Sequence, residues 1–236
     1  MLITVCKLFC TDTHIRNDSE GFSRANRSNG KGKNDSFNNK QTLLFAKAIK
    51  HFKPATCSYE NVPTLVSESL PLHKEYMQTI VSQLLQLEYQ VAAKVLTASD
   101  YGDPQRRRRL ILVAARKDCV LPQLPSPTHG ASLDLLPIKT CKDALKQLEK
   151  HEPTTIKTCG SVMLGDTVTF NHVVPKHACS EHDWLLDKDE PSRTILAGAT
   201  PHRHYKGDRF ISVREAACLQ SFPFDYQVGA DIMGAC

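Results

Sequence analysis

Apolar residues recur every three or four positions in two stretches of the first half of the chain, which is the period of a buried helix face. The first stretch runs from Leu43 to Phe52 and ends before Pro54, which cannot continue a helix. The second runs from about His73 to Gln86, where apolar pairs step by four positions. Three shorter apolar runs predict strands at about 55–59, 91–96 and 110–114.

Helices alternate with these short strands, and this order is typical of an α/β fold with a mainly parallel sheet. In such a sheet, ligands bind at the loops that follow the carboxyl ends of strands. The loops after Tyr59 and after Leu96 are therefore the candidate site loops.

The remaining segments are less regular. Residues 16–40 are rich in Gly, Asn, Ser and Lys, which predicts a loop. From 121 to about 192 proline is common and apolar periodicity is weak, so we expect a small irregular region there. Order returns at Ser212-Val213-Arg214-Glu215, whose S-x-x-E spacing is that of a helix capping box. The helix that starts there should stop before Pro223.

Composition adds limited information about function. The 236 residues include 30 Lys and Arg against 25 Asp and Glu, and the net charge of +5 allows a nucleic-acid partner without requiring one. No apolar run reaches the roughly 18 residues that a membrane span needs, so we expect no membrane partner. Nine scattered cysteines, with no CxxC pair and no recognisable export signal, favour reduced thiols in an intracellular protein.

Gln105 and four adjacent arginines precede the last predicted strand. Guanidinium groups this close repel one another and need anionic neighbours or an anionic ligand, for which phosphate is well suited. Strand alternation would send Arg107 and Arg109 to one face and Arg106 and Arg108 to the other. A solvated basic edge or a sorting signal is the alternative explanation.

Other candidate groups carry less information. Glu60 follows an apolar strand, where a carboxylate can act as a general acid or hydrogen-bond partner, although a lone one is more often a surface residue. No P-loop, no G-x-S-x-G and no glycine-rich strand-to-helix turn occurs in the sequence, so no cofactor site is visible. Two clusters of His and Cys match no common zinc pattern, and we expect no metal site. These clusters are Cys6, Cys10 and His14, and His172, His177, Cys179 and His182.

Four blocks of the chain, taken in order, resemble the cytosine-5 DNA methyltransferase family. The resemblance covers about residues 14 to 226, and four modest blocks in the family's order make coincidence a poor explanation. The blocks are Glu60-Asn61-Val62, Asp100-Tyr101-Gly102-x-Pro104-Gln105-x-Arg107-x-Arg109, Pro191-Ser192-Arg193-Thr194-Ile195, and Arg209-x-x-Ser212-Val213-Arg214-Glu215-Ala216-Ala217-x-Leu219-Gln220-Ser221-Phe222-Pro223.

This resemblance implies a Rossmann-like, S-adenosylmethionine-dependent methyltransferase fold, of which the chain would be the C-terminal part of the catalytic domain. It implies a partial catalytic α/β domain over 1–120, a short target-recognition-like region over 121–190 and a closing catalytic part over 191–236. By the same resemblance, the cofactor would be S-adenosylmethionine, the partner DNA and the location nuclear.

The family's chemistry also implies a role for each matching residue. A cytosine is flipped out of the duplex, a cysteine thiolate attacks C6, and C5 then takes the methyl group. Glu60 would contact the N3 edge of the base and stabilise the activated ring. Arg109, supported by Arg107, would hold the base and its neighbouring backbone. The residues implied in DNA binding are Gln105, Arg106, Arg108 and Arg193.

The nucleophile block departs from the family's pattern. The family has P-P-C-Q-G-F-S, and the aligned stretch here, Asn17 to Ser23, has Ser19 in place of the cysteine. A free thiol with a pKa near ~8.5 is a few per cent ionised at neutral pH, whereas a serine hydroxyl needs an adjacent base. Glu20 would disfavour an anion there. We therefore place Ser19 at the catalytic position and predict that this chain does not methylate DNA.

Two further departures concern the methyl donor. The family's glycine-rich turn lies upstream of the nucleophile, where this chain has about a dozen residues, and the chain stops at Cys236 before a G-N-A-V-P-P block. We expect that the chain does not bind S-adenosylmethionine by itself and that a partner chain supplies the missing half. The alternative to an enzyme is a non-catalytic DNA-binding or regulatory relic, or a gene fragment, of the same family.

Overall fold

A computed structural model describes residues 3–7, 14–18, 44–151, 154–156, 173–175, 184–196, 202–207 and 209–226. The chain divides into two compact units. The first unit comprises residues 1–96 and 108–126, and the second comprises residues 97–107 and 127–236. The chain therefore passes through the second unit between two strands before it returns to the first.

Among its described residues, the first unit has two α-helices, a short 3-10 helix (Pro63–Val66) and a three-stranded sheet, and every helix and strand predicted there is present. The helices are α1 (Leu44–Phe52) and α2 (Pro71–Gln86). The strands of the sheet are β3 (Thr56–Asn61), β4 (Tyr89–Thr97) and β5 (Arg108–Arg116). An antiparallel pair precedes them in the chain, β1 (Ile3–Lys7) with β2 (His14–Asp18).

The sheet is not mainly parallel, so that expectation is wrong in the described region. The strand order is β3, β5, β4, and β5 runs antiparallel to β3. At the two ends of the β4–β5 pair, Lys117 N–H donates to Glu88 O and Ala98 N–H donates to Arg107 O, an antiparallel arrangement. The connection over 98–107 is too short for a crossover helix, and such short connections join antiparallel strands. β5 is thus inserted between two strands of the same direction.

The strands also extend beyond their predicted ends. Glu60 and Asn61 belong to β3 rather than to the loop after it, and Arg108 and Arg109 begin β5. The loop predicted from residue 16 starts inside β2, because backbone pairing with β1 overrides the polar composition there. The remainder of that predicted loop lies outside the described residues.

One face of each helix packs on the sheet to form the core of the first unit. Phe45 and Ile49, four residues apart on α1, are fully buried, and the Phe45 ring lies 5.1 Å from that of Tyr59. Ile80 and Leu84, at the same spacing on α2, are buried in the same core. Each such side chain contributes about 1.5–3 kcal/mol through burial, which fixes the helices against the sheet.

The second unit has short elements in its described residues. They are α3 (Cys141–Leu145), α4 (Val213–Cys218), and two parallel strand pairs, β6 (Thr154–Ile156) with β7 (Val173–Pro175) and β8 (Trp184–Leu185) with β9 (His202–Arg203). We expected an irregular region over much of this unit, so α3, which lies within that region, was not predicted. Its signal is present in the sequence, because Thr140 and Asp143 form a capping box.

A separate apolar cluster forms the core of the second unit. The cluster consists of Cys141, Leu145, Leu148, Leu186, Ile195, Ile211, Cys218 and Leu219.

The predicted capping box of Ser212 and Glu215 is present, and α4 ends at Cys218, before Pro223, as expected. None of the helices that the structure describes has the length and apolar character needed to cross a membrane.

Candidate active site

Glu60 lies on the half-exposed face of β3. Side chains alternate along this strand, so Cys57, Tyr59 and Asn61 are buried while Ser58 and Glu60 point to the opposite face. The Glu60 side chain keeps 36% of its surface exposed. A rigid strand therefore holds this carboxylate in place and leaves it accessible.

Arg109 lies beside Glu60 on the neighbouring strand. Glu60 is opposite Ile111 in the β3–β5 register, and Arg109 is two residues from Ile111, on the diagonal that long side chains reach. Arg109 Nε lies 3.3 Å from Glu60 Oε1, and the Arg109 side chain is only 14% exposed. The structure thus brings together two of the residues that the sequence assigned to catalysis.

Asn61 secures the end of β3 next to Glu60. Its buried side chain donates through Nδ2 to the Tyr59 hydroxyl, and its Oδ1 accepts from the Val62 N–H at 2.7 Å. Both polar atoms of the amide therefore have partners inside the protein. The E-N-V block combines an outward carboxylate with an inward amide that fixes the following turn.

Gln105 is buried in the second unit, where its side chain connects distant segments. Its Nε2 donates to Leu219 O at 3.3 Å, and its Oε1 accepts from the Ile195 N–H at 3.2 Å. The amide ties the start of the arginine run to the end of α4. DNA binding by Gln105 stays a prediction, while these contacts favour a positioning role.

A second side-chain bond runs beside the first. Ser221 Oγ donates to Asp103 Oδ1 at 2.9 Å. Asp103 precedes Gln105 by two residues, just as Leu219 precedes Ser221, so two matched bonds join the turn to the closing block. Burial raises the pKa of Asp103, although the Ser221 hydrogen bond and the charge of Arg107 act in the opposite direction. The sequence analysis gave no role to Asp103 or to Ser221, although Ser221 belongs to the closing block.

Exposure alternates along the arginine run, as predicted. Arg106 and Arg108 are exposed, whereas Arg107 and Arg109 are half-buried. Arg106 forms an ion pair with Glu190, so part of its charge is met within the second unit. Arg106 and Arg107 belong to the second unit, and Arg108 and Arg109 to the first.

Arg193 is exposed and lies next to the start of the arginine run. The Ser192 N–H donates to Pro104 O at 2.8 Å, and the Arg106 N–H donates to Ser192 O at 2.8 Å. A parallel bridge also pairs Ser192 with Gln105. Backbone pairing therefore places Arg193 alongside Arg106 in the second unit.

Glu215 is the buried anchor of the closing block. Arg209 donates two hydrogen bonds of 2.8 Å to its carboxylate, the Ser212 N–H donates a third at 2.7 Å, and His204 Nε2 lies 3.7 Å away. Burial raises the pKa of Glu215, but Arg209, Ser212 and His204 outweigh it, so the pKa lies below its ordinary value. The R-x-x-S-x-x-E spacing is explained by this structural cluster.

Ser19 lies outside the described residues, as do the side chains of all seven candidate metal ligands. Among the side chains that are described, no group of three or more His, Cys, Asp or Glu is placed to hold a metal ion. Cys57 and Cys141 are buried, and burial raises the pKa of each thiol to about 12. Neither is therefore a reactive thiolate at neutral pH.

An open cavity of about 390 Å³ lies at the end of β5 remote from Arg109. Its walls are mostly charged, whereas ligand pockets for aromatic rings are predominantly apolar, so this cavity does not suit an adenosyl group. The residues that line this cavity are Leu87, Glu88, Arg116, Lys117 and Asp118.

The chain is similar in sequence to known DNA methyltransferases. The model of the C-5 cytosine-specific DNA methylase family matches residues 20–233. The type II methyltransferase M.NgoFVII of Neisseria gonorrhoeae is 28% identical over 202 residues, which cover 78% of this chain and 53% of that protein. The type II methyltransferase M.AplI of Arthrospira platensis is 32% identical over 190 residues, which cover 76% of this chain and 50% of that protein. The chain spans about half the length of these curated relatives.

A solved structure shares the fold. A protein described as a DNA modification methyltransferase encoded within an E. coli prophage aligns with a TM-score of 0.54 at 17% identity, covering 88% of this chain and 71% of that one. The mixed α/β architecture is thus the Rossmann-like methyltransferase fold that the sequence blocks implied.

The expectation of a nuclear protein is wrong. That expectation was inferred from the family resemblance alone. The curated relatives include type II methyltransferases of bacteria. They also include the type II methyltransferase M.MthTI of the archaeon Methanothermobacter thermautotrophicus, which is 27% identical to this chain over 215 residues. These organisms have no nucleus, so membership of this family does not imply a nuclear location.

Proposed function

Since the chain belongs to the C-5 cytosine-specific DNA methylase family, we propose that it is the base-binding part of a DNA cytosine-5 methyltransferase and does not transfer methyl groups by itself. The observation that carries this proposal is the ion pair of Glu60 and Arg109 on the half-exposed face of the sheet. A fixed carboxylate beside a fixed guanidinium suits the polar edge of a flipped base.

In this proposal Glu60 and Arg109 have different roles in binding the base. Glu60 contacts the N3 edge of the cytosine, and Arg109 orients the carboxylate through Nε. Arg109 Nη1 also donates to the Arg108 carbonyl at 2.7 Å, which fixes the guanidinium beside the place proposed for the base and its backbone. Arg107 follows the turn that Gln105 and Asp103 tie to the closing block within the second unit, and its supporting role stays a prediction from the family resemblance. Preorganised groups of this kind favour one orientation of the base, because they need no rearrangement on binding.

Ser19 blocks the covalent step in this proposal. Addition to C6 needs an anionic nucleophile, and a hydroxyl supplies one only when a nearby base removes its proton. The neighbouring residue Glu20 brings negative charge, which disfavours a second anion. Without the bond to C6, C5 does not become nucleophilic, so no methyl group is accepted.

The methyl donor of the family is S-adenosylmethionine, and we propose that a partner chain supplies its binding site. The chain covers about half of its curated relatives, which supports a partner chain or further segment as the source. This arrangement separates base binding from donor binding.

A second candidate is a non-catalytic DNA-binding or regulatory module of the same family. Ser19 favours it, because a protein that only binds DNA has no need of a nucleophile. The two candidates differ in one respect: a donor-binding partner together with Ser19→Cys should restore turnover to the first and have no effect on the second.

The experiment that tests the proposal measures the two ligands separately on the purified full chain. Unmethylated duplex DNA should bind with an affinity that falls steeply with salt. Calorimetry with S-adenosylmethionine should show no binding. Absence of salt-dependent DNA binding would contradict the base-binding role, and micromolar affinity for S-adenosylmethionine would contradict the separation of the two sites.

A further inference from the structure

An exposed indole in the second unit carries a guanidinium on its face. Arg193 Cζ lies 5.1 Å from the centroid of the Trp184 ring, within the range of a cation–π contact. Trp184 is 37% exposed, and Arg193 is exposed as well. A contact of this kind between exposed groups stabilises the fold only slightly, so its position on the surface calls for another explanation.

The indole is held in a fixed orientation by β9. Trp184 is paired with His202 in the parallel β8–β9 register, and the two rings meet edge to face at 85° with centroids 5.3 Å apart. His202 is fully buried, and burial, followed by the charge of Arg193, lowers the pKa of its imidazole to about 4. A neutral ring therefore supports the edge of the indole at physiological pH.

The backbone of Arg193 is fixed from the other side. Ser192 is hydrogen-bonded to Pro104 and to Arg106, which belong to the turn that leads into the arginine run. Arg193 thus sits alongside Arg106 on a segment with two backbone attachments. Both partners of the cation–π contact are preorganised by the fold.

The described carboxylates close to Arg193 in the chain are paired with other cations. Glu190 is occupied by Arg106, and Asp189 by Lys188. Across the part of the chain that the structure describes, no carboxylate lies within ion-pair distance of Arg193. The guanidinium carries a planar fork of N–H donors, a geometry that matches phosphate.

We propose that Arg193, stacked on Trp184, binds a backbone phosphate of duplex DNA, with Trp184 acting as the positioning residue that holds the guanidinium. This inference rests on the proposed DNA binding and names a contact within it. Trp184 supplies the platform and His202 fixes the platform's angle.

Trp184 is the only tryptophan of the chain, so its fluorescence reports on this site alone. Tryptophan emission and the anisotropy of a labelled duplex should change together as DNA is added. Arg193→Gln should weaken binding about tenfold and reduce the slope of log K against log salt by about 0.9, the value for one phosphate contact. Lys188→Gln, which removes an exposed charge five residues before Arg193, should change the slope less.

Replacing the platform separates positioning from charge. Trp184→Phe keeps an aromatic face and should retain most of the DNA affinity. Trp184→Leu should weaken DNA binding nearly as much as Arg193→Gln does. The double variant Trp184→Leu/Arg193→Gln should bind DNA little more weakly than Arg193→Gln alone, because both changes remove the same contact. DNA binding that is insensitive to Arg193 and leaves the emission unchanged would overturn this inference alone. No DNA binding by any variant would overturn the proposed function as well.

Discussion

Arg109 Nε lies 3.3 Å from Glu60 Oε1 across two neighbouring strands, and the Glu60 carboxylate remains partly open to solvent. Their separation follows from a register in which long side chains on one face meet diagonally. Partly exposed ion pairs contribute about 0–1 kcal/mol to stability. This ion pair therefore contributes little to the stability of the fold. Its role is to hold the Glu60 carboxylate at a defined position.

Replacing Arg109 should separate function from stability. Arg109→Met keeps the length of the side chain and removes its charge, so we expect the free energy of unfolding to fall by about 1 kcal/mol or less. DNA affinity should fall more than in Arg116→Met, which removes the same charge from the other end of β5. Denaturant unfolding and DNA titration measure the two effects, and equal losses of affinity in both variants would contradict the role of Arg109.

Gln105 should matter for stability rather than through a direct ligand contact. Gln105→Ala removes two hydrogen bonds and leaves the buried Ile195 N–H and Leu219 carbonyl without that partner, which should cost about 3 kcal/mol. Gln220→Ala, which removes an exposed amide bonded to the backbone of its own helix, should cost less than about 0.5 kcal/mol. The midpoint of urea unfolding compares them, and similar midpoints would argue against the buried connection.

Glu215 should make the protein sensitive to acid. Its pKa in the folded state lies below the ordinary value of 4.5. Its stabilising contribution is therefore fully present above about pH 4.5 and is lost as the pH falls through the folded value. Glu215→Gln should cost about 2–4 kcal/mol at neutral pH and reduce the dependence of stability on pH below 4.5.

Asp118→Asn is the control for that measurement, because Asp118 forms an exposed pair with Arg116 on the surface. It should change stability by less than about 1 kcal/mol and leave the acid limb intact. An acid limb that is identical in wild type and Glu215→Gln would show that other carboxylates control acid unfolding.

Alkylation should distinguish the described cysteines. Burial raises the pKa of Cys57 and Cys141 to about 12, whereas Cys119 is partly exposed. A thiol-directed reagent at neutral pH should therefore modify Cys119 before Cys57 and Cys141, and before Cys218, whose pKa burial also raises; the three buried thiols should react only after denaturant is added. Peptide mapping by mass spectrometry measures the order, and early modification of Cys141 would mean that the core of the second unit opens readily.

Local patterns predicted the local elements. The spacing of Phe45 and Ile49 marks a buried helix face, and Ser212 with Glu215 marks a helix start, because each signal spans a few residues. Thr140 and Asp143 form the same kind of capping box and therefore predict the start of α3. Helices and strands that are specified by a few neighbouring residues can thus be predicted from the sequence.

Relationships between distant segments were not accessible in the same way. The insertion of β5 between β3 and β4 depends on which strand edges meet, and no local pattern encodes that choice. The bonds of Gln105 to Leu219 and of Asp103 to Ser221 join residues more than a hundred positions apart. The family blocks identified Glu60 and Arg109, whereas only the strand register explains why their side chains meet.

The decisive measurement for the proposed inactivity of this chain is methyl transfer to DNA. The purified chain, first shown to bind unmethylated duplex DNA, is incubated with that DNA and labelled S-adenosylmethionine, and label in the DNA is counted for wild type and for Ser19→Ala. We expect no incorporation above background in either protein, because position 19 carries no thiolate. Incorporation by the wild type that exceeds Ser19→Ala would contradict it and would make the Ser19 hydroxyl a working nucleophile.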